Sequence, residues 1–127
     1  MILLIDTTNP DQLFLGLCKD KNICTNKIIA KRNGQLEILL PQIEDLLKSQ
    51  HAKKTDLTAI AVNEGPGTYT GLRIGITTAN TLAWSLDIPV LPFQKTGTEE
   101  IITSVHKYLS ANDKFSKPVS PKYPSTL

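Results

Sequence analysis

The sequence predicts an α/β domain: a mixed five-stranded sheet with helices packed on it. Three observations carry this. The first thirty residues hold three strand-like runs joined by short polar turns: Ile2–Ile5, Leu13–Cys18 and Ile23–Ala30. The apolar period then lengthens to that of a helix, at Leu36, Leu39, Leu40, Ile43, Leu46 and Leu47. Strand-like and helix-like stretches alternate from there to Leu109.

Ile2-Leu3-Leu4-Ile5 is continuously apolar, as a strand covered on both faces must be. Asp6-Thr7-Thr8-Asn9-Pro10 is a cluster of turn residues. Lys19–Asn22 is a polar turn between the second and third runs, so the first three strands read as an antiparallel meander. The first helix is read over the Leu36–Leu47 stripe, with Pro41 inside the pattern as a kink or a weakened turn. Ile38 falls outside its main apolar stripe. Gln50–Thr58 is a polar connection, Ala59–Val62 a buried fourth strand, and Pro89–Phe93 a short fifth. Thr98–Leu109 is a third helix with Ile101, Ile102, Val105 and Leu109 on one face. The order β-β-β-α-β-α-β-α describes a ribonuclease H-like lobe. Residues 1–111 form that lobe. Residues 112–127 shift to Ser, Pro and Lys, and Pro118, Pro121 and Pro124 predict an extended tail. Such a tail is expected to add less than about 1 kcal/mol to stability.

The chain is organised around residues 64–88. Gly65-Pro66-Gly67 breaks the chain after strand four. Thr68 or Thr70 is placed to cap a helix running from about Gly71 to Leu86. Gly71, Gly75, Ala79 and Ala83 recur every four residues, making one low ridge. Two interior glycines cost about 1 kcal/mol each relative to alanine, so another backbone is expected close by. The glycine spacing at 65, 67 and 71 is one residue too long for the dinucleotide fingerprint, and no Gly-Lys-Ser/Thr follows.

At 127 residues the chain is one domain, possibly with a tail, and its formal charge is +2. Residues 107–127 carry four lysines against one aspartate, so the rest carries −1. A near-neutral body does not by itself suggest a nucleic-acid surface. Cys18 and Cys24 flank a hairpin turn with no metal-ligand spacing, and are expected to be free thiols in a reducing compartment. No leader-like start or membrane-length apolar run is read, so the cytoplasm is the expected compartment and no membrane contact is expected.

Glu64-Gly-Pro-Gly-Thr-Tyr-Thr-Gly-Leu-Arg-Ile-Gly-Ile-Thr-Thr-Ala-Asn-Thr-Leu-Ala-Trp-Ser-Leu-Asp-Ile-Pro-Val resembles the signature of the TsaB (YeaZ) family. Ile5-Asp6-Thr7-Thr8 resembles that family's opening strand and turn. The likeness extends over roughly residues 1–105 and covers the family's N-terminal lobe. It implies membership of the actin-like ATPase superfamily, whose lobes are ribonuclease H-like. It implies a non-catalytic subunit that supports a TsaD-like catalytic subunit in moving threonylcarbamoyl onto the adenosine beside the tRNA anticodon. A TsaE-like ATPase is a further implied partner, tRNA is met only through the complex, and the chain alone is expected to form a homodimer. The first two helices pair with a partner's helices in that family. The implied interface residues are Leu36, Leu39, Leu40, Ile43, Gly71, Leu72, Arg73, Gly75, Ile76 and Ala79. On this reading Gly75→Leu leaves a folded monomer that no longer associates.

In actin-like ATPases the turn bearing Asp6, Thr7 and Thr8 faces phosphates, with Gly65 and Gly67 as a second such turn. One lobe leaves most of a nucleotide uncovered, so no cofactor is expected and Asp6 is assigned to the turn. TsaD carries a metal-binding His-x-x-x-His pair after the strand matching Val90–Phe93; Phe93–Glu100 has no histidine here. No metal is expected, and His51 and His106 read as isolated surface residues. Two rival readings remain. Asp6, Glu64 and Glu44 are the acids from which a two-metal ribonuclease H-like nuclease would be built. A homodimeric scaffold with no part in tRNA modification is the other.

Overall fold

The structure is a computed structural model that describes residues 1–20, 23–30, 39–67, 69–94, 98–110 and 118–120. Its strands are β1 (Ile2–Asp6), β2 (Gln12–Asp20), β3 (Ile23–Ala30), β4 (Ala59–Asn63) and β5 (Val90–Phe93). Its helices are α1 (Leu39–Ser49), α2 (Tyr69–Leu86) and α3 (Thr98–Ser110), with a 3-10 turn at Lys54–Asp56. The sheet order is β3-β2-β1-β4-β5. β1–β2 and β2–β3 pair antiparallel, while β1–β4 and β4–β5 pair parallel. This is the mixed five-stranded sheet expected of a ribonuclease H-like lobe.

Strand periodicity sorts the core into two layers. Leu3 and Ile5 of β1, with Leu13, Leu15, Leu17, Ile60, Val62 and Val90, face α1 and α2. Ile2 and Leu4, with Cys18, Ala59 and Ala61, face α3 through Ile101, Ile102 and Val105. Both faces of β1 and β4 are therefore covered, which is why their sequences are apolar without alternation. Leu39, Ile43, Leu46 and Leu47 anchor α1, each adding roughly 1.5–3 kcal/mol of burial. Pro41 lies in the first turn of the described helix. Pro92 fits β5 because that strand pairs on one side only.

Helix ends follow local chemistry. Ala52 N donates to Leu47 O and His51 N to Lys48 O. Ile88 N donates to Ala83 O and Asp87 N to Trp84 O in the same pattern. Both are Schellman ends, and each puts a non-glycine residue, His51 or Asp87, at φ 54°. His51 is thus a helix stop.

Three expectations change. Cys18 is disulfide-bonded, which corrects the free thiol assigned to it. Its backbone register partner across β2–β3 is Cys24, the only other cysteine in the sequence. Leu36, Ile38 and Thr68 lie outside the described residues, and Thr70 is inside α2 rather than capping it. Val119, placed by composition in an extended tail that adds little to the core, is buried against the α1/α2 core.

Candidate functional site

The C-terminal ends of the parallel neighbours β1 and β4 bring two turns together, because Ile5 lies opposite Val62. Asp6 Oδ1 accepts from Thr8 N at 2.9 Å and from Thr8 Oγ1 at 2.6 Å. Asp6 Oδ2 accepts from Asn63 Nδ2 at 3.1 Å, and Asn63 Oδ1 in turn accepts from Gly65 N at 3.0 Å. Gly65 sits at φ 108°, a conformation that glycine adopts without cost, and a cis bond joins it to Pro66. A Cβ on Gly67 would stand 2.8 Å from Thr8 Cβ. Asp6, Thr7, Thr8, Gly65 and Gly67 are therefore neighbours in space. Asp6, Thr8 and Gly65 are tied to one another or to Asn63 by these bonds.

Thr7 links this turn to α2. It is fully buried, and its Oγ1 donates to Gly71 O at 2.7 Å. A Cβ on Gly75 would lie 2.8 Å from Thr7 Cγ2 and closer still to Thr7 Oγ1. A close approach thus exists at Gly75, but it is made by the side chain of Thr7, in the turn after the chain's own first strand, rather than by another backbone. Leu72, Ile76 and Ala79 are buried on the same side, as are Leu39 and Ile43 of α1. These residues face the sheet, so the close-packed helix contact assigned to Gly75 is intramolecular, and Gly75→Leu strikes the core.

Of the expected interface set, Leu40 and Arg73 are exposed, Leu40 by 48%. They belong to an outward surface that sequence reasoning described poorly. Thr70, Arg73, Ile74, Thr77 and Thr78 line a shallow cavity of about 330 Å³ along α2. Trp84 continues this side and is 84% exposed. Arg73 is the only charged residue in Tyr69–Leu86. An outward helix face with one charge and an open indole is unusual for a solvated helix.

The acids do not gather. Glu44 lies on α1 and pairs with Lys54 at 2.9 Å. The hydrogen bond and charge of Lys54 hold its carboxyl below the usual range. Among the described residues, no three His, Cys, Asp or Glu side chains are grouped to hold a metal ion. Also among them, no helix is long and apolar enough to cross a membrane. Asn63, Asn80 and the Thr7–Gly71 bond were missed by sequence reasoning. The available signal for the first was an asparagine ending an otherwise apolar strand beside a glycine turn.

The family model described as TsaD: tRNA N6-adenosine threonylcarbamoyltransferase matches residues 28–107. The chain belongs to this family, among its TsaB/YeaZ members. It is 40% identical over 89 residues to the tRNA threonylcarbamoyladenosine biosynthesis protein TsaB of Bacillus subtilis (strain 168), covering 70% of this chain and 38% of the relative. To the TsaB of Escherichia coli (strain K12) it is 33% identical over 90 residues, covering 71% and 38%. The structure of YeaZ from Pseudomonas aeruginosa matches with a TM-score of 0.66 and 29% identity, over 73% of this chain and 44% of that one. The chain thus spans less than half the length of these relatives.

Proposed function

We propose that this chain is a non-catalytic partner subunit in tRNA threonylcarbamoyladenosine biosynthesis. It docks a TsaD-like catalytic subunit, reaches tRNA only through that complex, and works in the cytoplasm. A TsaE-like ATPase is a further partner of the assembly. The observation that carries the reading is the outward face of α2, with Arg73 as its one charge and Trp84 open to solvent. Aromatic residues and arginine are enriched where interfaces form, and charge is depleted at their centres. The family's biosynthetic role, taken from TsaB relatives of greater length, supplies the partner class.

The geometry of the strand-end turns supports a scaffolding role for Asp6. Its carboxylate already accepts three hydrogen bonds, which ties the turns rather than offering two open oxygens to metals. The rival nuclease reading needs Asp6, Glu64 and Glu44 around shared ions, whereas Glu44 is engaged with Lys54.

The same α2 face would serve a second copy of the chain when no other partner is present, as the homodimeric reading requires. Sedimentation of the chain alone and with a TsaD-like protein separates the two. Preferential mixed association supports the proposal. Self-association unaffected by an excess of the TsaD-like protein favours the scaffold.

A further inference from the structure

Pro118–Ser120 is a short described segment that follows α3 in sequence. Asn80, midway along α2, holds its central residue with both ends of the side-chain amide. Asn80 Nδ2 donates to Val119 O at 2.9 Å, and Asn80 Oδ1 accepts from Val119 N at 2.9 Å. A neighbouring β-strand would make the same pair of bonds to an extended residue; here a helix side chain makes them. The pair reads backbone. Side-chain choice comes from the apolar seat, where Val119 joins the α1/α2 core. Pro118 has a fixed φ, and a proline at 121 biases Ser120 towards extended backbone.

We propose that this flank of α2 is a binding site for an extended segment with a β-branched apolar residue between prolines, and that residues 118–120 are its tethered, exchangeable occupant. One buried valine and two neutral hydrogen bonds are a small holding force, which a competing segment of the same chemistry can displace. Tethering supplies the occupancy: a linked segment acts at a high effective concentration. The proposal does not rest on the TsaD-like partner, because the contacts it uses are made within this chain, although the seat borders the outward face through Trp84.

Trp84 gives a built-in reporter. It is the only tryptophan, is exposed, and lies one helical turn beyond Asn80 on the same side of α2. The experiment uses the full chain carrying Val119→Asp, which empties the seat, titrated with a synthetic peptide of residues 115–123. Binding is followed by Trp84 emission and by calorimetry. Saturable binding is expected, at least tenfold weaker when Asn80→Ala is added. The unsubstituted chain should need at least tenfold more peptide, since its own segment competes. No heat and no emission change in a folded Val119→Asp chain overturns the proposal, as does equal binding with and without Asn80→Ala. If circular dichroism shows that Val119→Asp does not fold, amide hydrogen exchange decides. Val119 N–H should exchange at least tenfold more slowly in the unsubstituted chain than in Asn80→Ala, and equal rates overturn the proposal.

Discussion

Replacing Gly75 by alanine puts one methyl group where Thr7 already stands. The new Cβ would lie 2.8 Å from Thr7 Cγ2 and nearer still to Oγ1. Thr7 cannot turn away freely, because it is fully buried and its hydroxyl bonds Gly71 O. Overpacking costs about 1–3 kcal/mol. A buried hydroxyl parted from its acceptor costs about 1–3 kcal/mol more. Alanine returns about 1 kcal/mol in helix propensity. The net expectation is a loss of about 1–5 kcal/mol, which urea unfolding followed by circular dichroism resolves. The double-mutant cycle tests the cause. Thr7→Ala removes Oγ1 and Cγ2, so Gly75→Ala should cost at least about 1 kcal/mol less in that background. Additivity within about 0.5 kcal/mol would refute the clash, and with it the claim that Gly75 packs on the turn after β1.

Other outcomes follow from the same contacts. Asp6→Ala removes the acceptor for Thr8 and Asn63 and should destabilise by about 2–3 kcal/mol in urea unfolding. Val119→Ala should cost about 1–2 kcal/mol in the same assay, more than an undocked tail position would. Lys54 lowers the Glu44 pKa, so the pair's contribution exists above the unfolded-state value and is lost as pH falls through the folded one. The melting-temperature gap between the unsubstituted chain and Glu44→Gln should therefore be small at neutral pH, close in acid, and shrink with salt, because both partners are exposed.

Much of the fold was legible because strand burial leaves a direct trace. β1 and β4 read as apolar runs since both of their faces are covered, and α1 announced itself through Leu39, Ile43, Leu46 and Leu47. The site was less legible. Glycine spacing in α2 reports that something comes close, but its partner Thr7 is 64 residues from the Gly71 carbonyl that it bonds. The ridge therefore pointed outward in sequence and inward in space. Asn80 and Val119 are 39 residues apart, and although Asn80 lies within the signature stretch, nothing in that stretch points to Val119. Proline content predicted extended backbone around Val119 but carried no information about its docking. The Cys18 bond was visible only as cross-strand register, which depends on the turn that sets it. The outward face of α2 was hidden among threonines whose lack of charge matters only once the helix is oriented.

The proposed function requires that this outward face dock a TsaD-like subunit. Its most direct test is a calorimetric titration of the unsubstituted chain and of Thr77→Arg with the cognate TsaD-like protein. Thr77 is exposed and lines the α2 cavity without facing the sheet, so the arginine adds bulk and charge to the face while sparing the core. Docking through this face requires saturable binding by the unsubstituted chain, at least about tenfold weaker binding by Thr77→Arg, a change of about 1.4 kcal/mol, and an unchanged melting temperature. Equal affinity of the two chains, or no binding by the unsubstituted chain, would contradict it.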